Sequence, residues 1–108
     1  MSDLKEGLIE RIEKLKVFKT GDFTLASGAK SNFYIDGRVI TLDPVGSEII
    51  SKIIVNNLDK DITAIGGPAT AAIPIISSLV LVSNMLFSRQ LKGFYVRSSI
   101  KEHGLSNS

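Results

Sequence analysis

The chain has no cysteine, no tryptophan and a single histidine. Without thiols there is no disulfide framework, no thiolate chemistry and no cysteine-based metal site, which fits a reducing compartment. One histidine, His103, excludes a multi-histidine metal centre within one chain. Neither sign of charge dominates: 13 Lys plus Arg face 11 Asp plus Glu, a net charge of +2. That surplus is too small to argue for nucleic acid as a partner, so any anion binding has to be local. Nor is there a Ser, His and Asp order or a dense carboxylate pair of the kind that serves a covalent nucleophile or a glycosidase-type acid and base. Charge stabilisation and positioning are the chemistry left open.

Long apolar runs are scarce as well. The N-terminus, MSDLKEGLIERIEKLK, alternates charged and apolar residues and lacks the uninterrupted apolar core of a signal peptide, so a cytoplasmic protein is expected. The most apolar stretch, AAIPIISSLVLVSNMLF, is interrupted by Pro74, Ser77, Ser78, Ser83 and Asn84 and falls just short of a membrane span. It reads as a buried core helix, with no membrane partner. What remains is 44% apolar and 22% charged residues over 108 positions, the balance of one globular domain with one core.

Leu4, Leu8, Ile12 and Leu15 recur at spacings of three and four, which predicts an amphipathic helix over residues 3–16, with Asp3 and Glu6 at capping-box spacing. Phe23 to Leu25 and Phe33 to Ile35, separated by the turn-forming ASGAKSN, predict two short strands of a hairpin. Asp43-Pro44 marks a helix start, because proline tolerates a first turn where its missing N–H has no partner anyway. Ile49, Ile50, Ile53, Ile54 and Leu58 give that helix its apolar face. ITAIGG then predicts a buried strand, PATAAIPIISSLVLVSN a helix with Thr70 as N-cap, and GFYVR a further strand. Strand, helix and strand at this spacing form a βαβ unit with parallel strands and a right-handed crossover.

Three stretches carry candidate chemistry. In IGGPATAA a strand passes through a Gly-Gly turn to a helix N-terminus, which suits an anion but also suits a tight connection with no ligand. In YVRSSIKEHG, Arg97, Lys101 and His103 sit among serines and a glycine, either as a cationic loop with a task or as a solvated one. Both stretches follow the carboxyl ends of strands, where ligands of open α/β sheets bind. In FTLASGAKSNFYIDGR, Lys30 and Arg38 offer positive charge and Phe33 and Tyr34 offer ring faces for stacking, unless the aromatics simply pack on the first helix.

Taken together, GDFTLASGAKSNFYIDGR, IGGPATAAIPI and FYVRSSIKEHG resemble the N-terminal part of the orotate phosphoribosyltransferase family, over residues 18–104. The resemblance implies an α/β chain with an incomplete type I phosphoribosyltransferase fold: helix and hood over residues 1–42, then the first part of the core with its lid loop over 43–108. It implies transfer of phosphoribosyl from phosphoribosyl pyrophosphate (PRPP) to orotate, giving orotidine monophosphate and pyrophosphate in pyrimidine biosynthesis. Magnesium would accompany PRPP, and a homodimer would share the lid between subunits. Arg97, Lys101, His103 and Thr70 fall on the PRPP and pyrophosphate side, with Lys101 and His103 catalytic; Ser27, Gly28, Lys30, Phe33 and Tyr34 fall on the orotate side. The chain has Ala26, Ala71 and Ser98 where some relatives are basic, and it contains no Asp-Asp pair, the mark of the family's PRPP-binding motif. The expectation is therefore a truncated chain, inactive or impaired alone. The alternatives are a non-catalytic binding or assembly module of the same descent and, from Lys92, Arg97 and Lys101, a nucleic-acid contact.

Overall fold

A computed structural model describes residues 2–97; Lys101, His103 and the rest of 98–108 lie outside the described residues. The first helix, α1 (Ser2–Leu15), half-buries Leu4, Leu8, Ile12 and Leu15, the stripe that its sequence period predicts. It stops because Lys16 turns left-handed, at φ 56°, and the Val17 N–H reaches back to the Ile12 carbonyl at 3.2 Å. Val17, next in the chain, is fully buried.

The hairpin follows as β1 (Phe18–Thr24) and β2 (Lys30–Ile35), paired antiparallel. It is longer than the sequence suggests, since β1 starts at Phe18, five residues before the Phe23 at which the pattern places its first strand. Gly21, at φ 147°, sits where the register shifts between Thr20 and Phe23, so the glycine bends the strand without ending it. A short helix, α2 (Gly37–Thr41), was not foreseen; the Asp36 carboxylate caps it by accepting from the Arg38 N–H.

The Asp43-Pro44 signal opens α3 (Pro44–Asn56), and the Asp43 carboxylate accepts from the Gly46 N–H at 2.8 Å. Then come β3 (Ala64–Pro68), α4 (Ala72–Phe87) and β4 (Lys92–Val96). β3 and β4 are parallel, with Ala64 opposite Lys92 and Pro68 opposite Val96, so the expected βαβ unit is present. The N-cap position of α4 is Ala71, not Thr70, and no side chain caps it. Thr70 lies one residue too early; its carbonyl, rather than its hydroxyl, accepts from the Ile73 N–H at 3.1 Å.

The core gathers Val55 from α3, Leu79 from α4 and Leu91 before β4, with Ile54, Leu58, Ile65, Val80 and Phe87 around them. α4 lies against the β3–β4 pair, and α3 packs on α4. At the far end of α4 the Ser83 hydroxyl donates to the Arg89 carbonyl at 2.6 Å, and the Arg89 guanidinium donates to the carbonyls of Asp59 and Ile62. This latch joins the end of α4 to the connection leading into β3.

Candidate functional site

The candidate anion turn is built by two glycines. Gly67 faces α4, and a Cβ there would stand 2.8 Å from that of Ala72, so only glycine lets the helix start this close to the strand. β4 runs parallel beside β3 and ends at the same edge: the Ala69 N–H, in the turn, donates to the Val96 carbonyl at 2.9 Å. Thr70 and Arg97, both exposed, thus leave the sheet at one end, from neighbouring strands. The chain continues from Arg97 toward Lys101 and His103, which lie outside the described residues.

The residues that the resemblance places on the orotate side sit on the hairpin. Gly28, at φ 92°, makes its tip, and the Ser27 hydroxyl accepts from the Ala29 N–H at 3.4 Å. Lys30 is exposed at the first position of β2. Phe33 stacks on Phe18 with ring centroids 5.6 Å apart, while Tyr34 meets Phe23 at 5.7 Å on the opposite face, as adjacent strand residues must. The hairpin does not lay these rings on α1: Phe18 and Phe33 remain about half exposed, and a cleft lined by Ile12, Glu13, Lys16, Phe18 and Phe23 separates helix from strand. Arg38 is exposed, and its guanidinium lies 3.5 Å from the Asp36 carboxylate.

Hairpin and β3–β4 form separate sheets, so the structure groups Thr70 with Arg97, and Ser27, Gly28 and Lys30 with one another, as two sets. An ion pair with no signal in the local sequence links α1 to the start of α3. The Arg11 guanidinium grips Asp43 through two of its nitrogens, Nε at 2.8 Å and Nη2 at 2.9 Å. With the Gly46 N–H on the same carboxylate, Arg11 holds the Asp43 pKa down at about 2. Arg11 and Asp43 are 32 positions apart, beyond the reach of any periodicity argument. Among the described residues no helix is long and apolar enough to cross a membrane.

The comparisons with known proteins agree with this arrangement. The chain is 34% identical to an orotate phosphoribosyltransferase of Nostoc sp. over 96% of its own length and 50% of the relative's. It is 36% identical to the orotate phosphoribosyltransferase of Methanosphaera stadtmanae over 88% of this chain and 55% of that one. Its fold matches the crystal structure of orotate phosphoribosyltransferase from Aeropyrum pernix with a TM-score of 0.71 at 28% identity, over 91% of this chain and 54% of the other. No protein-family model matches the chain.

The hairpin, the parallel strands and the helices between them are thus part of a type I phosphoribosyltransferase fold. Within that class the chain is a homologue of the orotate phosphoribosyltransferases, matched over nearly all of its own length and spanning about half of the curated relatives'.

Proposed function

We propose that this chain provides the orotate-side hood and the pyrophosphate side of an orotate phosphoribosyltransferase, which joins orotate to PRPP and releases pyrophosphate. The observation that carries this reading is the shared carboxyl edge of β3 and β4. There the glycine turn and Arg97 leave adjacent strands, held together by the Ala69 to Val96 hydrogen bond. The relatives' names supply the substrate class. In this reading residues 1–42 are helix and hood, and 43–108 are the first part of the core with its lid.

The chemistry follows from charge. As the bond from ribose to pyrophosphate breaks, negative charge grows on the leaving group and the ribosyl carbon becomes electron-poor. Arg97 and Lys101 act as fixed cations for the leaving group, and His103 adds a donor from the same loop. Loop closure keeps water from the electron-poor carbon. Backbone N–H groups of the turn at Thr70 take phosphate oxygens. Ser27, Gly28 and Lys30 address the carboxylate and ring edge of orotate, and Phe33 and Tyr34 offer ring faces, one on each side of the hairpin.

Magnesium enters with PRPP. Among the described residues no three His, Cys, Asp or Glu side chains are grouped, so the substrate's phosphate oxygens and water are the donors this reading gives the ion. The cytoplasm is the proposed location, and a homodimer sharing the lid between subunits is the proposed assembly.

Calorimetry on the chain with orotate and with pyrophosphate tests the reading. Binding of either is expected, and weakening of the pyrophosphate isotherm by Arg97→Ala assigns the anion side. A chain that binds neither is the assembly module instead. In an active assembly containing this chain, Lys101→Ala is expected to lower kcat by about 100-fold or more, the scale of one preorganised charge stabiliser. Unchanged turnover in that variant would remove Lys101 from the mechanism.

A further inference from the structure

The hairpin stands away from the rest of the molecule. Every residue of β1 and β2 is exposed or half-buried, and the two strands pack chiefly on each other. A two-stranded hairpin is marginal alone, so its direction depends on its base. There the Asp36 N–H donates to the carbonyl of buried Val17 at 3.4 Å, which closes the two ends. α1 leads into this base and α2 leads out of it, and both helices lie on α3.

Asp43 is where the three helices meet. Its carboxylate takes two bonds from Arg11 of α1 and one from the Gly46 N–H of α3, while its own N–H donates to the Ile40 carbonyl of α2 at 3.3 Å. The Asp43 side chain is 9% exposed and that of Arg11 22%, so water has little room to replace the pair. Two parallel bonds from a planar guanidinium fix an angle as well as a distance, which the single ammonium of a lysine would not. The angle matters because the hairpin is a lever. At about 3.3 Å per residue, the seven residues of β1 reach about 23 Å, and a tilt of about 10° at the base carries the tip about 4 Å. Ser27, Gly28 and Lys30 are at that tip, whereas Thr70 and Arg97, at the β3–β4 edge, are off the lever.

We infer that Arg11 is a positioning residue, which through Asp43 locks the angle of the hairpin on α3 and so sets where the orotate-side residues stand. The lock rests on the geometry; the ligand it serves rests on the functional reading above. The chain has no cysteine, so Ala29→Cys at the tip and Asn56→Cys at the end of α3 give two spin labels and no others. Dipolar spectroscopy should find one narrow distance in the otherwise wild-type chain. Arg11→Ala, and Arg11→Lys, which keeps the charge, should each widen the distribution by about 4 Å or more. A hairpin at the right angle about a tenth of the time binds about tenfold more weakly, so calorimetry on the unlabelled variants should show orotate weakened about tenfold and pyrophosphate unchanged. Ser83→Ala, which loosens the far end of α4, controls for lost stability alone and should move neither reading. A narrow distance in Arg11→Ala, equal widening in Ser83→Ala, or equal weakening of both ligands would overturn the proposal. Widening in Arg11→Ala of a chain whose wild type binds neither ligand would uphold the lock and overturn the functional reading.

Discussion

Replacing Gly46 with alanine should destabilise this chain, even though alanine is the better helix former. Gly46 is buried in the first turn of α3, and a Cβ there would stand 2.5 Å from both the carbonyl oxygen and the Cδ1 of Ile40. The side-chain atom can move, but the carbonyl is held, because it accepts from the N–H groups of Leu42 and Asp43. Helix propensity favours alanine by about 1 kcal/mol, whereas forcing an extra carbon into filled space costs about 1–3 kcal/mol. Contact with backbone puts this site at the upper end, so the net loss should be about 1–2 kcal/mol. In a domain of this size that lowers Tm by about 4–8 °C for each kcal/mol. Gly7, within α1, is the internal control. A Cβ there meets only Ile49 Cδ1, at an ordinary 3.5 Å, so Gly7→Ala should gain up to about 1 kcal/mol. Urea melts of both variants beside wild type decide the matter. If Gly46→Ala raises the midpoint as Gly7→Ala does, the argument that α2 and α3 are packed backbone to backbone is wrong.

Two further outcomes follow from the polar links. The Asp43 carboxyl, held at about 2 by Arg11 and the Gly46 N–H, titrates below its unfolded value of about 3.9. The unfolded chain therefore takes up the proton first on acidification, and the stability that Asp43 confers is present above about pH 4 and lost as pH falls toward 2. The gap in urea midpoint between wild type and Asp43→Asn should accordingly shrink over that range, and a constant gap would mean the carboxylate's charge is not what Arg11 reads. Ser83→Ala strands the Arg89 carbonyl in a site where Ser83 is fully buried, at a cost of about 1–3 kcal/mol. Hydrogen exchange should then speed up at the Lys92 N–H, which bonds the Thr63 carbonyl beside β3; unchanged exchange would show that the latch does not secure the sheet.

Much of the fold was legible because its signals are local. The period of Leu4, Leu8, Ile12 and Leu15, the Asp43-Pro44 start and the uncharged strand and helix near Gly66 each act within a few residues, and each lies where the structure has it. Errors came where the backbone decides between close alternatives. β1 starts at Phe18 and bends at Gly21, ahead of the Phe23 where the pattern began, and the N-cap of α4 is Ala71, one residue after Thr70. The short α2 has too few residues to show a period at all.

The candidate site divides the same way. Residue types alone marked the glycine turn, the cationic stretch around Arg97 and the aromatic hairpin, because exposed cations, glycines and ring faces are chemically conspicuous wherever they fall. Their grouping was a tertiary matter. Parallel pairing brings the turn after Pro68 beside the end of β4, while strand alternation sends Phe33 and Tyr34 to opposite faces of the hairpin. The grip of Arg11 on Asp43 likewise exists only once distant segments meet. Local pattern sets which way a segment winds and which side it hides; what a side chain touches, or leaves uncovered, depends on partners that the chain brings together only by folding.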